Sequence, residues 1–454
     1  MGKKLKSLGL DLGTTTTQLV ISELEVENRA PGFTVPRMEI GKRRVLYQSP
    51  IHFTPLISGE LVDGQAISEL LKREMEKAGV TPEQLDTGAV IVTGETSRKE
   101  NAETVTRALA SAAGKFVVAT AGPDLESVLA ARGAGAAELS ERTGKPVIHL
   151  DIGGGTANLA LCREGNAEPA GCLNVGGRLI KCDAGGTVTW VSPAVKGITE
   201  IRAGDTLTEE RAMAFARLLA RALEEALGFR KETELSRYLR TPGAVKMPLP
   251  KGILSFSGGV ADCIDKDIPW LAYGDLGPLL GKAIRESLLC REDYRLGTNT
   301  IRATVIGAGC HSVQLSGSTV FLKNARLPKK DLTAAVLTEE EQNREDLAEL
   351  VARRMEGKDL LFLPGWVSPD YETICRVAEQ LVHGFGNRPC RVVLEQDMAK
   401  ALGVALQLRL PRDREILCLD GLWIPRDSYL DVGEPVGPAV TAVIKTLAFE
   451  RVDS

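Results

Sequence analysis

Two aspartates, Asp11 and Asp151, each close an apolar run and open a glycine- and threonine-rich turn. The two passages read Leu8-Gly9-Leu10-Asp11-Leu12-Gly13-Thr14-Thr15-Thr16-Thr17 and Leu150-Asp151-Ile152-Gly153-Gly154-Gly155-Thr156. Each turn runs on into a second apolar stretch, Gln18 to Glu23 and Asn158 to Cys162. The same strand–turn–strand statement is therefore made twice, about one domain length apart, and it constrains the chain to a duplicated architecture. Two such turns facing each other make one nucleotide site. Glycine lets backbone N–H groups approach phosphate oxygens, threonine hydroxyls add donors, and an aspartate on each side can reach Mg²⁺. A single Asp-x-Gly carries almost no information; two copies in one context carry a great deal.

The chain has 454 residues, room for two to four domains. Its net charge of −4 leaves no basic footprint, so no nucleic-acid partner is expected. No apolar run reaches spanning length, so no membrane is expected either. The start Met1-Gly2-Lys3-Lys4-Leu5-Lys6 has the charge of a signal n-region, but Asp11 interrupts the apolar stretch that follows. A cytoplasmic location is expected. Nine scattered cysteines without Cys-x-x-Cys read as reduced, buried thiols, and four separated histidines lack zinc-site spacing. His149, inside the run before Asp151, reads as a satisfied core histidine.

Strands alternate with helices almost throughout, which makes the class α/β. The pattern predicts a hairpin over 5–12 and 18–23, extended chain over 45–56, a helix over 66–79, strands over 89–93 and 115–120, and helices over 101–113 and 124–137. It restarts with strands over 147–152, 158–161 and 167–175 and an edge strand over 187–191. A helix over 208–227 and a strand over 252–257 follow, then a helix over 276–289 and a strand over 300–306. Beyond residue 311 the expected strands are 319–322, 360–363, 391–395, 416–419 and 439–447, with helices over 339–355, 371–383 and 398–406. A third glycine turn, Ser257-Gly258-Gly259-Val260-Ala261, is expected to open a helix whose N-terminus suits an adenosine or α-phosphate contact. Two small-residue segments, Ala130 to Gly135 and Gly307-Ala308-Gly309, fall where a chain crosses between lobes.

In this order the five elements resemble the actin, sugar-kinase and heat-shock chaperone ATPase superfamily, in which two ribonuclease-H-like lobes clamp Mg-nucleotide. The resemblance covers residues 5–310. It implies a first lobe over 1–145, a second over 146–310, and a C-terminal α/β region over 311–454 that completes the lobes or faces a partner. It also implies that Asp11 positions Mg²⁺ through water and that Asp151 orients or deprotonates the nucleophile, both serving the metal. Gly13, Thr14, Thr15 and Thr16, then Gly153, Gly154, Gly155 and Thr156, would hold the phosphates of ATP or ADP, with Gly258, Gly259 and Gly307 completing the nucleotide site. Phosphoryl transfer needs little beyond such positioning. Chaperone-type members carry a glutamate just before the first crossover helix. Here Asp124 and Glu126 are the available carboxylates, and neither stands at the expected position. A P-loop is absent: Gly277 to Ala283 has one spacer too few and no hydroxyl.

Longer strings narrow the resemblance. Val92 to Ala102, Cys172 to Arg178, Tyr273 to Pro278, Asp420 to Pro425, Gly433 to Gly437 and Val443 to Glu450 look like the EutA family, the reactivases of ethanolamine ammonia-lyase. That resemblance implies a Mg-ATP-driven chaperone for an adenosylcobalamin enzyme, a weak ATPase releasing damaged cobalamin so that intact cofactor can enter. Its setting would be ethanolamine utilization, in the cytoplasm or an associated microcompartment. No Asp-x-His-x-x-Gly is present, so cobalamin is not expected to bind this chain itself. A homodimer stays open. The alternatives are a small-molecule kinase of the sugar-kinase branch and a non-hydrolysing, actin-like assembly protein.

Overall fold

The first of the duplicated passages folds as an antiparallel hairpin. Strand β1 (Lys3–Leu12) pairs with β2 (Thr16–Asn28) along its whole length, placing Asp11 opposite Gln18. β3 (Met38–Gln48) and the short β4 (His52–Phe53) continue the far side of β2, while β5 (Thr87–Val92) runs parallel to β1 and β6 (Val117–Ala121) parallel to β5. The sheet order is β3-β2-β1-β5-β6. The computed structural model describes residues 3–13, 16–28, 38–57, 61–92, 105, 109, 117–121, 123–241, 249–291, 293–311, 314–316, 319–365, 370–424, 428–436 and 439–446. Thr14, Thr15 and most of the expected helix over 101–113 lie outside these residues.

The second passage repeats the wiring. β7 (Val147–Ile152), β8 (Ala157–Arg163) and β9 (Asn166–Leu173) form a meander with Asp151 opposite Asn158. β10 (Ile180–Cys182) and β11 (Val188–Val191) pair only with each other, so the expected edge strand belongs to a separate two-stranded ladder. β12 (Ile253–Ser257) then runs parallel to β7, and β13 (Tyr294–Leu296) parallel to β12. The order β9-β8-β7-β12-β13 is that of the first sheet, with β4 set aside. Both halves thus build a central antiparallel hairpin with two parallel strands added on one side, the expected actin-like α/β pairing of similar lobes.

Helices cover the faces according to their apolar stripes. In α1 (Gly64–Lys77) the Asp63 side chain accepts from Ala66 N at 3.0 Å, and Ile67, Leu71 and Met75 pack on Leu8, Leu10, Leu12 and Ile21 of the first sheet. Burying each such side chain contributes roughly 1.5–3 kcal/mol, which outweighs helix propensity. The next helices are α2 (Pro123–Gly133), α3 (Ala136–Thr143), α4 (Glu209–Ala226), α5 (Glu234–Leu239), α6 (Gly277–Glu286) and α7 (Ala303–His311). α4 and α6 pack on one face of the second sheet. α2 and α3, although they follow the first sheet in the chain, cover the second sheet through Ala131, Ala136 and Ala137 against Val147, Ala160 and Cys162. α7 follows the second sheet and covers the first, with Val305, Ile306 and Cys310 against Leu5, Val20, Leu24 and Val26.

α2 and α7 cross in close contact. A Cβ on Gly133 would lie 1.9 Å from Ala303 O, and one on Gly307 would lie 2.0 Å from Leu129 O. The strand expected over 300–306 is therefore a helix. Its β-branched run favours a strand locally, but the small face Ala303, Gly307, Ala308 is needed against α2. The helix expected over 124–137 is broken at Gly135, which sits at φ +81° and starts α3. Gly258-Gly259 opens only one turn of 3₁₀ helix, Ala261–Cys263, rather than a full helix.

Past β14 (Gln314–Leu315) and β15 (Phe321–Lys323) the chain builds a third sheet. β16 (Lys329–Val336), α8 (Leu347–Arg354), β17 (Leu360–Leu363), α9 (Tyr371–Phe385), β18 (Cys390–Leu394), α10 (Ala399–Gln407) and β19 (Ile416–Leu419) alternate, and the four strands are parallel neighbours. Crossovers of one hand, all stepping in one direction, place the three helices on one face. The helix expected over 339–355 is shorter, with a separate 3₁₀ turn at Glu341–Asn343. The hairpin of β20 (Ser428–Val436) and β21 (Ala439–Thr446) closes the sheet beside β16, and Val443 joins the Leu5–Val20 cluster of the first lobe. Among the described residues no helix is long and apolar enough to cross a membrane.

Candidate functional site

The two phosphate turns are closed by the same hydrogen bond. Gly13 N donates to Thr16 O at 2.9 Å, and Gly153 N donates to Thr156 O at 2.9 Å. In each hairpin the aspartate is paired across the ladder with a side-chain amide, Gln18 for Asp11 and Asn158 for Asp151. Gly153 and Gly154 are half-buried and Gly155 is exposed, and a Cβ on Gly155 would meet nothing within 4 Å. Turn two thus presents open backbone, as a phosphate cradle requires. Thr16 and Thr156 are both half-buried at the strand starts.

Asp151 is buried, and both of its oxygens are held. Ser257 Oγ donates to Oδ1 at 2.5 Å and Thr304 Oγ1 to Oδ2 at 3.3 Å. Ser257 is its register partner on β12, as Ser255 is for His149. His149 Nε2 lies 2.9 Å from Ser257 Oγ and Nδ1 lies 3.1 Å from Ser255 Oγ. A carboxylate only accepts, so Ser257 donates to Asp151 and takes the His149 Nε2 proton, leaving Nδ1 to accept from Ser255. His149 is the satisfied core histidine expected from sequence. Burial pushes its pKa down to about 3, which keeps it neutral. Burial raises the Asp151 carboxyl, and the Ser257 and Thr304 hydroxyls oppose that rise.

Glu126, in the first turn of α2, is the carboxylate that converges on this site. Its carboxyl end is deeply set: burial, then the charges of Asp151 and Asp11, raise its pKa well above the ordinary range, and Asn158 donates a hydrogen bond to it. Of the two carboxylates considered before the first crossover, Glu126 is the one described beside Asp11 and Asp151; the Asp124 side chain lies outside the described residues.

Two further groups were not legible as site residues. Gln18 Nε2 donates to Ile301 O at 3.2 Å, tying turn one to the second lobe, while Gln18 Oε1 has no partner. Asn158 Oδ1 is likewise unpartnered, and both residues are nearly inaccessible to solvent. Buried acceptors without donors are costly. Beside three carboxylates they fit a hydrated cation, whose waters donate. Among the described residues no group of three or more His, Cys, Asp or Glu forms a direct metal cage.

The remaining expected residues divide. Gly258, at φ +85°, is required by packing, since its Cβ would lie 2.3 Å from Ile152 O. Gly259 faces open space, with only Ile301 Cδ1 at 3.9 Å. Gly307 sits inside α7 at the helix crossing, and its missing side chain is taken up there by Leu129 O.

Residues 3–450 match the model of the family described as ethanolamine utilisation protein EutA. The chain is similar to the ethanolamine ammonia-lyase reactivase EutA of Salmonella typhimurium, 37% identical over 98% of this chain and 99% of that one. It is 36% identical to the protein of the same name from Escherichia coli, again over 98% and 99%. Among solved structures it is similar to an Aquifex aeolicus Ppx/GppA phosphatase, 13% identical, with 67% of this chain and 99% of that chain covered at a TM-score of 0.39. The chain belongs to the EutA family of ethanolamine utilisation proteins.

Proposed function

We propose that this chain uses ATP, bound between the two mirrored turns, to reactivate ethanolamine ammonia-lyase by releasing damaged cobalamin so that adenosylcobalamin can rebind. The relatives covering nearly its whole length are named for that activity. The observation that carries the nucleotide half of the reading is Glu126, whose carboxyl feels Asp11 of one lobe and Asp151 of the other. Mg²⁺ would be held through its waters by Asp11, Asp151 and the unpartnered oxygens of Gln18 and Asn158, and it would neutralise phosphate charge.

The backbone of Gly13, Gly153, Gly154 and Gly155, with the hydroxyls of Thr14, Thr15, Thr16 and Thr156, positions the β- and γ-phosphates, and Gly259 lies on the adenosine side. Asp151, with both oxygens fixed, orients the attacking water. Glu126, with its raised proton affinity, takes the proton as the water oxygen adds to the γ-phosphorus and the bond to ADP breaks. Nucleotide that binds the closed and open lobe arrangements unequally shifts the balance between them, and a lyase contact that also prefers one arrangement couples the two events.

The test is direct. Lyase inactivated with hydroxocobalamin is mixed with this protein, Mg-ATP and free adenosylcobalamin. Recovery of activity is expected with the wild type and lost with Asp11→Ala, Asp151→Ala and Glu126→Gln. Recovery unchanged in all three variants would remove the cleft from the mechanism, and no recovery with the wild type would remove the reactivase reading.

A further inference from the structure

The strings Cys172 to Arg178 and Tyr273 to Pro278 lie apart in sequence and meet beneath turn two. Gly177 N donates to Gly153 O at 3.0 Å and Arg178 N donates to Gly154 O at 2.6 Å. A Cβ on Gly176 would sit 2.4 Å from Gly154 O, and one on Gly177 would sit 2.9 Å from Gly277 Cα. Leu276 N donates back to Gly177 O at 2.8 Å. The backbone of turn two is thus fastened to the first string, and the first string to the second.

The Arg178 side chain then runs along the turn itself, because a Cβ on Gly154 would lie 3.3 Å from its Cδ. Its Nε donates to Asp275 Oδ2 at 2.9 Å. Asp275 is buried, and its Oδ1 accepts from Gly277 N at 2.8 Å at the first residue of α6. The Arg178 side chain is 30% exposed, and among the described residues its terminal nitrogens have no protein partner. The stem of a guanidinium with one N–H committed to Asp275 thus lies against Gly154, and the next residue of the turn, Gly155, has open space beside it.

Resting on the nucleotide reading above, we propose that Arg178 contacts the phosphates of bound ATP or ADP, turning from Asp275 toward the ligand. Guanidinium–phosphate pairs are bidentate and charge-assisted, and a polyphosphate offers more negative charge than one carboxylate. When Arg178 turns, Asp275 keeps the α6 backbone N–H but loses its cation. Nucleotide occupancy is thereby written into the electrostatics at the start of α6, on the face of the second lobe opposite α2.

The experiment is calorimetric titration of adenosine, ADP and a non-hydrolysable ATP analogue, with Mg²⁺, into the full-length wild type, Arg178→Ala, Arg178→Lys and Asp275→Asn. Arg178→Ala is expected to weaken ADP and the ATP analogue by about tenfold or more while leaving adenosine unchanged, and Arg178→Lys should recover part of the loss. Asp275→Asn retains a carbonyl acceptor for Gly277 N and frees the guanidinium, so it should hold ADP at least as tightly as the wild type. A structural brace makes the opposite forecast: both partners' substitutions weaken binding alike, adenosine included. That outcome, or phosphate-independent binding in Arg178→Ala, overturns the inference while leaving the nucleotide site standing. A wild type that binds neither nucleotide overturns both.

Discussion

Among the described residues, turn one is held by Thr54 Oγ1, which donates to Gly13 O at 2.7 Å while lying 3.1 Å from Thr17 Oγ1, and by Gln18 Nε2, which donates to Ile301 O across to the second lobe. Turn two is braced from beneath while Gly155 stays open. Asp151 is locked by Ser257 and Thr304, and the Gly176–Arg178 strip is fastened to its backbone. The position two residues before each aspartate shows the divergence most clearly. In the first lobe it is Gly9, whose Cβ would lie 2.4 Å from Val305 O of α7. In the second it is His149, hydrogen-bonded to two serines. The closing hydrogen bond of each turn follows from its glycine and threonine. What the turn is able to do follows from the strand and helix laid against it. Turn two, with Asp151 held on both oxygens, suits orientation of the nucleophile, and turn one, joined to the second lobe through Gln18, suits a part that follows the nucleotide.

Equivalent substitutions in the two turns are therefore expected to have unequal effects. The largest is expected for Asp151→Asn, which keeps an acceptor for Ser257 and should retain nucleotide binding while losing turnover by about 10²–10³. Asp11→Asn should instead act mainly on the Mg²⁺ dependence of nucleotide affinity. Steady-state ATPase assays paired with Mg²⁺ titrations separate the two, and identical profiles would erase the distinction.

The next effect is on acid stability. Burial depresses the pKa of His149 in the folded chain to about 3 from its ordinary value of 6.5. The stabilisation due to its neutral form is therefore complete above pH 6.5 and lost as pH falls toward 3, by up to about 1.4 kcal/mol for each pH unit. The raised carboxyls of Asp151 and Glu126 act in the opposite sense, since their folded forms bind protons more readily. Thermal unfolding followed from pH 7 to pH 4 should show a shallower acid loss in His149→Gln than in the wild type, and turn one, with Gly9 at that position, has no counterpart.

Ser257→Ala should be milder, costing roughly 1–3 kcal/mol for the lost partner of a buried carboxylate. Without the Ser257 hydroxyl the Asp151 pKa rises further, so the acid limb of the turnover profile should move to higher pH. The smallest effect belongs to Thr54→Val, about 0.5–1.5 kcal/mol, with its loss expressed in nucleotide affinity rather than in the pH profile.

Much of this was legible in the sequence, and what was not shares one cause. Asp11, Gly13, Asp151 and the Gly153–Thr156 turn announce themselves because turn chemistry is local. Ser257 was visible only as the end of a strand, and its role depends on the parallel register that brings it beside Asp151. Glu126 was doubtful because its position depends on where α2 crosses the cleft. The run Thr300 to Ile306 reads as strand from its β-branched residues and folds as 3₁₀ and α-helix because packing against α2 outweighs propensity. β16 and β20 escaped notice because polar residues interrupt their alternation at the edges where they meet.

The reciprocal placement of α2 and α7 bears on how this chain can be divided. Each half of the duplication wears a helix cut from the other's cloth: residues 303–311 shelter the first sheet, and residues 123–143 shelter the second, with Leu125 and Leu129 of α2 also reaching Ala89 and Ile91 of the first. A polypeptide severed between α3 and β7, near residue 145, would part α2 and α3 from the second sheet and α7 from the first, uncovering apolar surface on both. The two halves are therefore legible as repeats in sequence, yet they must be inherited, expressed and unfolded together.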